Sequence, residues 1–218
     1  MFRRLKVIFF RIKSYGLVYG IKWLIVMCYH RVIPQKQVIW CIDLTKLYAK
    51  TLLLPDNIEI QRFDAINQVS QKDIEKLIDS NSDLMGSAAS MLIRERFNKG
   101  AALWLLKENG QLAGYQWTIS NNHETPTYLP HTETDVHTIG IELLKEFRGR
   151  DLLYLFQVST FITLKNNGFK RHYLETYLWN KRALKAFSKI GLRKIGIARR
   201  FNFLGKNIVI WYDMPNTM

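Results

Sequence analysis

The chain has 218 residues, 48% hydrophobic and 23% charged. That composition suits a globular domain with a sizeable core and excludes a disordered or low-complexity chain. A net charge of +14 and only two cysteines, Cys28 and Cys41, exclude a disulfide framework and a cysteine metal cage, and fit a reduced, cytoplasmic setting.

The charge is unevenly placed. Residues 1–50 carry ten Lys/Arg against one acid, Asp43; residues 51–180 carry thirteen basic and sixteen acidic side chains; residues 181–218 carry nine basic side chains against Asp213. Two basic ends around a near-neutral middle predict two anion-facing surfaces. A membrane, a cofactor phosphate and a nucleic acid all satisfy that charge.

Residues 2–19 read as a basic amphipathic helix. Phe2, Leu5, Ile8, Phe9, Ile12, Tyr15 and Tyr19 fall on one side, with Arg3, Arg4, Lys6, Arg11 and Lys13 around the other. Such a helix either lies in an anionic membrane interface or packs on its own domain. The apolar run from Trp23 to Tyr29 is too short to span a bilayer, which takes roughly 20 residues. No secretory cleavage pattern follows, so the segment is expected to be peripheral and retained.

Val38–Ile42 reads as a lead-in strand, and Ile58–Phe63 alternates as a half-buried strand does. Ser70 and Asp73 offer caps for a helix over 71–80, and a second helix is expected over 84–98. Residues 101–120 form a hairpin turning at Asn109-Gly110. A polar loop over 121–131 precedes a strand over about 134–144. A helix over 151–166, a strand from His172 to Leu178, a helix over 181–190 and a hairpin over 194–213 complete the chain. The organisation expected is a basic extension over 1–57 and one domain over 58–218.

Two segments carry a chemical signal. Phe147-Arg148-Gly149-Arg150-Asp151 opens the helix at 151, and Asn180-Lys181-Arg182-Ala183 opens the one that closes at Lys189-Ile190-Gly191-Leu192. An arginine–glycine turn before a helix is an anion cradle, because the first backbone N–H groups lack intrahelical partners and the macrodipole favours negative charge there.

These segments, with Leu143-Leu144-Lys145-Glu146 before the turn, resemble the signature of the GCN5-related N-acetyltransferase (GNAT) superfamily, and the element order over 58–213 is similar to that family's. The closest likeness is to a bacterial branch linked to cell-surface glycan or lipid synthesis. The resemblance implies an α+β fold with a mixed, mostly antiparallel central sheet flanked by helices. It implies acetyl-CoA or another acyl-CoA as co-substrate and no metal, with Leu143, Arg148, Gly149, Arg150, Asp151, Leu152, Asn180 and Lys189 as cofactor-binding residues. Backbone N–H groups near Leu143 would polarise the thioester carbonyl.

Two departures stand out. Asp151 and Leu153 occupy positions where the family loop has small residues, and an acid there opposes a pyrophosphate unless it turns away as a helix cap. Phe187 stands where the family often has a tyrosine that protonates the leaving thiolate, so either Tyr154, Tyr173, Tyr177 or water serves, or the thiolate leaves without an acid.

Acyl transfer to an amine needs a base near the central strand. Alternation places residues 135, 137, 139, 141 and 143 on one strand face, so His137 is the expected base with Asp135 as support, and Glu142, on the opposite face, is a third candidate. Glu175 either faces a gap between the strands at 135–144 and 172–178 or pairs with Lys170 or Arg171. His30, His123, His131 and His172 are scattered without metal-ligand spacing, and no P-loop, dinucleotide fingerprint or Ser/Cys nucleophile motif is present.

The expected function is acyl-CoA-dependent N-acyl transfer by direct attack of a primary amine, with an amino sugar of a cell-surface glycan precursor as one acceptor and the inner face of the membrane as one location. Two alternatives compete: a non-catalytic GNAT-like binding module at the membrane surface, and nucleic-acid binding through residues 181–206 with Trp179, Phe187, Phe201 and Phe203 interleaved.

Overall fold

The computed structural model describes residues 35–47, 53–80, 86–120, 128, 132–203 and 206–213. The helix expected over 2–19, the apolar run after it, and His30, His123 and His131 lie outside the described residues. In chain order the elements are β1 (Gln37–Asp43), β2 (Ile58–Phe63), α1 (Gln71–Ser80), α2 (Gly86–Asn98), β3 (Ala102–Glu108), β4 (Gln111–Ser120), β5 (Asp135–Leu143), α3 (Leu152–Asn166), β6 (Arg171–Tyr177), α4 (Lys181–Lys189), β7 (Arg193–Phe203) and β8 (Lys206–Asp213).

Local chemistry sets several of these boundaries. Asn109 and Gly110 adopt φ of 51° and 71°, the left-handed pair that a two-residue hairpin needs. The Asp73 backbone N–H donates to Ser70 Oγ at 3.1 Å, and the Ser70 hydroxyl donates to the Asp73 carboxylate at 2.7 Å, closing the start of α1. Asn180 Oδ1 accepts from the Ala183 N–H at 3.2 Å and caps α4.

The strands form one sheet in the order β2-β3-β4-β5-β6-β1-β7-β8. Among its neighbouring pairs only β5 and β6 run parallel, which makes the fold α+β with a mostly antiparallel sheet. Phe156, Phe161 and Leu164 of α3 and Phe187 of α4 bury one face against Val38, Trp40, Val136 and Leu174. Leu77 of α1 and Ile93 of α2 cover Leu103, Leu105, Tyr115 and Trp117 on the other. A third cluster on that second face joins Ile39, Cys41, Tyr173, Ile195 and Ala198 beneath Tyr128.

The lead-in strand grouped by sequence with the 1–57 extension is an interior strand. β1 pairs antiparallel with β6 from Gln37↔Tyr177 to Asp43↔Arg171, and with β7 on its other edge. Its buried residues, Val38 to Ile42, serve both sheet faces, as a doubly paired strand requires.

Strand β5 also departs from simple alternation. Trp117 pairs with Gly140 and Thr118 with Thr138, so Ile139 is an extra residue, a β-bulge. One extra residue exchanges the faces of everything beyond it. Glu142, opposite Tyr115, therefore shares a face with His137, opposite Ile119, whereas Ile141 and Leu143 join Val136 on the α3 side. The sequence expectation that Glu142 points away from His137 fails for this reason.

Past the bulge β5 leaves β6. Their ladder runs from Asp135↔Arg171 to Thr138↔Leu174 and stops, so residues 139–143 and 175–177 diverge. Gly114, opposite Leu143, supports the diverging limb: a Cβ there would meet Leu143 Cδ2 at 2.6 Å and the Glu142 carbonyl oxygen at 2.7 Å. Gly114→Ala is therefore expected to destabilise the protein by about 1–3 kcal/mol, read as a lower urea midpoint at unchanged slope.

Candidate active site

The divergence of β5 from β6 opens a cleft of about 1010 Å³ that passes between the two faces of the sheet. Among the described strands none pairs with the inner edge of β5 from Ile139 to Leu143, and that edge lines the cleft.

At the α3 mouth lie Arg148, Gly149, Arg150 and Leu153, with Asn180, Arg182 and Ala183 of the α4 start beside them. Gly149 has φ of 84°, and the turn Arg148–Arg150 that leads into α3 lines the cleft together with Leu153 of its first turn, an arrangement suited to an anion. Both loop arginines already hold carboxylates. Arg148 donates from Nε to the Leu143 carbonyl at 2.8 Å and from a terminal nitrogen to Glu142 at 3.1 Å. Arg150 donates to Glu108 at 2.5 Å and to the Glu146 carbonyl at 3.2 Å.

The remaining expected cofactor residues divide. Leu143 and Asn180 line the cleft. Asp151 sits at the N-cap of α3, where its backbone carbonyl accepts from the Leu155 N–H at 3.1 Å but its side chain makes no capping hydrogen bond. Leu152 is buried in the α3-side core, and Lys189, in the last turn of α4, is outside the cleft lining.

At the opposite mouth His137, Glu175 and Arg200 converge. His137 Nε2 lies 3.4 Å and an Arg200 terminal nitrogen 3.7 Å from the same Glu175 carboxylate oxygen. Arg200 also lies over the Tyr128 ring, 5.0 Å from its centroid, and the Tyr128 hydroxyl donates to Gln37 Oε1 at 2.5 Å. Glu142 accepts from the Tyr115 hydroxyl at 3.0 Å as well as from Arg148, linking the two mouths along β5.

Burial pushes the Glu175 carboxyl up to about 7, and Arg200 offsets only part of that. Asp135 is the reverse case. Burial raises it, but the paired bonds from Arg171, at 2.8 Å each, and the Thr132 N–H, at 2.7 Å, outweigh burial and hold it below the ordinary carboxylate range. Asp135 is spent on fixing the β5–β6 register and is outside the cleft lining, so the expectation that it supports His137 is corrected: the carboxylate beside His137 is Glu175. Glu175 engages His137 and Arg200 rather than the neighbouring Lys170 or Arg171 considered from sequence.

Of the tyrosines weighed as acid, Tyr177 lines the cleft, whereas Tyr154 is exposed on α3 and Tyr173 packs with Cys41 in the third cluster. Phe187 lines the cleft and meets Trp40 edge-on at 6.2 Å; buried to 3% exposure, it is no platform for a base. His172 is fully buried, bonded to the Thr138 hydroxyl at 2.7 Å and packed on Phe161, which keeps it neutral. No group of three His, Cys, Asp or Glu side chains suited to a metal occurs among the described residues. No described helix is long and apolar enough to cross a membrane.

No protein-family model matches the sequence, and no curated protein does. Solved structures share its fold. A GNAT-family acetyltransferase from Colwellia psychrerythraea superposes with a TM-score of 0.55 at 10% identity, over 90% of this chain and 63% of its own. A tandem GNAT protein from the clavulanic acid biosynthesis pathway gives 0.55 at 12% identity, over 80% of this chain and 55% of its own. An aminoglycoside N-acetyltransferase in complex with CoA gives 0.51 at 16% identity, over 65% and 93%. The chain spans less than two thirds of the length of the first two. Its fold is the GNAT fold.

The raised Glu175 carboxyl has a stability consequence. The folded protein retains a proton there that the unfolded chain releases near 4.5, so stability contributed by the protonated group is full below pH 4.5 and is lost as pH rises to about 7. Glu175→Gln is expected to melt a few degrees above the parent at pH 8 and to converge with it at pH 5, by scanning calorimetry.

Proposed function

We propose that the protein is an acyl-CoA-dependent N-acyltransferase that moves an acetyl or other acyl group to a primary amine by direct attack on the thioester. The observation that carries the reading is the cleft itself, with an arginine–glycine anion cradle at one mouth and a buried carboxylate of near-neutral pKa at the other. Arg148, Arg150, Arg182 and the N-termini of α3 and α4 supply the charge and donors that a pyrophosphate needs.

A bound acyl-CoA would contribute an activated thioester carbonyl, and the rest is the work of this chain. The free edge of β5 offers backbone N–H groups for the carbonyl oxygen. Glu175, poised near neutral pH, takes the proton of the attacking amine, and His137 at 3.4 Å orients the carboxylate and passes the proton outward. With Phe187 in the wall, Tyr177 or water serves the leaving thiolate, which at a pKa of about 8.5 departs with little assistance. The finer reading has an amino sugar of a glycan precursor as acceptor, the enzyme being held on the inner face of the membrane by the basic N-terminal segment.

The engagement of Arg148 by Glu142 and of Arg150 by Glu108 favours the competing reading, a cleft that binds without catalysing. Calorimetric titration with acetyl-CoA decides. Micromolar binding that weakens at least tenfold in Arg148→Ala supports the cofactor site; a folded protein that binds neither acetyl-CoA nor longer acyl donors sinks it. Given turnover, Glu175→Gln is expected to lower kcat/KM by about 10²–10⁴-fold, with the parent's rate rising through pH 7 to a plateau.

A further inference from the structure

Arg96, in the last turn of α2, carries a guanidinium that lies over the Trp117 ring, 5.2 Å from its centroid. A cation–π contact steadies a guanidinium but uses none of its N–H donors, and among the described residues no carboxylate or other acceptor meets them. The groups that act on it electrostatically do not neutralise it. Glu95 pairs with Lys99 at 3.0 Å. Tyr115 is pushed up to about 12 by burial and by Glu142, so it is uncharged at neutral pH. Burial pulls the Arg96 pKa down, and Tyr115 and Glu95 offset only part of that. A half-buried guanidinium in such surroundings gains more from an anion than a fully solvated one does.

The same guanidinium stands beside the cleft. Gly140 lines the cleft on β5, opposite Trp117 of β4. A Cβ added at Gly140 would lie 3.6 Å and 3.8 Å from the two terminal nitrogens of Arg96, so the bare backbone there leaves the guanidinium close against the cleft wall. It meets that wall on the α2 face of the sheet, the face that also carries His137. Arg96 rests over β4 and β5, and Glu175 belongs to β6, the next strand across. Strands lie about 4.8 Å apart and β5 leaves β6 here, so the guanidinium and the Glu175 carboxylate are separated by on the order of 10 Å.

We propose that Arg96 anchors an anionic group, a carboxylate or a phosphate, at the far end of an extended acceptor whose primary amine is received by Glu175 and His137. The planar fork of donors takes two oxygens of the anion, and the span between the two contacts selects which amines fit. This inference rests on the amine-acceptor reading of the cleft and deepens it by naming the acceptor class.

The test uses the full chain and matched amines: ε-aminocaproate against hexylamine, glycine against ethanolamine, and glucosamine 6-phosphate against glucosamine. Binding is measured calorimetrically without acyl donor, and transfer from acetyl-CoA separately. The expected result is at least tenfold preference for the anionic member of one extended pair, reduced to under twofold in Arg96→Met and partly retained in Arg96→Lys, with the affinities for the neutral amine and for acetyl-CoA unchanged in both. Preference for ε-aminocaproate identifies a carboxylate partner, and preference for glucosamine 6-phosphate a phosphate. Equal binding of neutral and anionic members overturns the proposal, as does a preference that survives Arg96→Met. A gain for glycine as large as that for ε-aminocaproate also overturns it, because glycine is too short to span the two contacts. Loss of folding, or of neutral and anionic amines alike, in both variants shows a structural role and overturns it too. If the anionic preference holds but no acyl donor is turned over, the acyltransferase reading fails while the anion site stands.

Discussion

The short parallel ladder between β5 and β6 is the constraint on which the rest of the site depends. Four residue pairs hold the two strands, and the Asp135–Arg171 ion pair fixes their register at the closed end. The bulge at Ile139 then turns β5 aside. Buried backbone groups without partners are costly, so a sheet does not open in its middle unless the freed edge meets water or a ligand. Here the freed edge lines a cleft, and the side chains that the closed ladder would have hidden, Glu175 among them, are brought to its wall. Burying an ionisable carboxyl there costs stability at neutral pH, because burial disfavours its charged form.

The inserted strand β1 makes that opening tolerable. A sheet that splits between β5 and β6 needs a second limb that is stable without the first. β1 provides it by pairing along both edges, with β6 on one side and β7 on the other, and by placing Trp40 against Phe187 of α4. The same strand borders the mouth that holds His137 and Glu175, because Gln37 anchors Tyr128 and the end of β1 leaves room for Arg200.

What was legible in the sequence was what neighbours along the chain decide. The Asn109-Gly110 turn, the Ser70 and Asn180 caps and the alternation of Ile58–Phe63 are local, and each element formed where those signals put it. The insertion of β1 between β6 and β7 was not legible, since pairing partners 128 to 161 residues away leave no local trace. The bulge was not legible either: Thr138-Ile139-Gly140 carries no mark that distinguishes it from regular strand, and a one-residue insertion reversed the facing of Glu142. His137 was singled out through its strand, and for Glu175 the sequence left a gap-facing position and a pairing with Lys170 or Arg171 both open; that the two lie side by side depends on the β5–β6 register. Arg200 was missed because nothing in its own strand distinguishes it from Arg199; only the third dimension puts it beside Glu175.

The two arginine–carboxylate pairs of the loop before α3 differ in strength. Arg148 and Arg150 are each 51% exposed, and Glu142 is 39% exposed, so the Arg148 pair is of the surface kind, contributing about 0–1 kcal/mol. The Arg150 partner, Glu108, is 13% exposed, which makes that pair the firmer of the two. A pyrophosphate brings more charge than one carboxylate and accepts bidentate bonds, so on the proposed reading it displaces Glu142 readily, while Glu108 keeps Arg150 positioned at the turn. Asp151 is exposed and its side chain makes no capping bond, so its charge is screened by solvent rather than focused on the cleft. Leu153 both lines the cleft and packs on the α3-side core, so what it changes is the shape of the cradle, and the charge balance stays with the arginines.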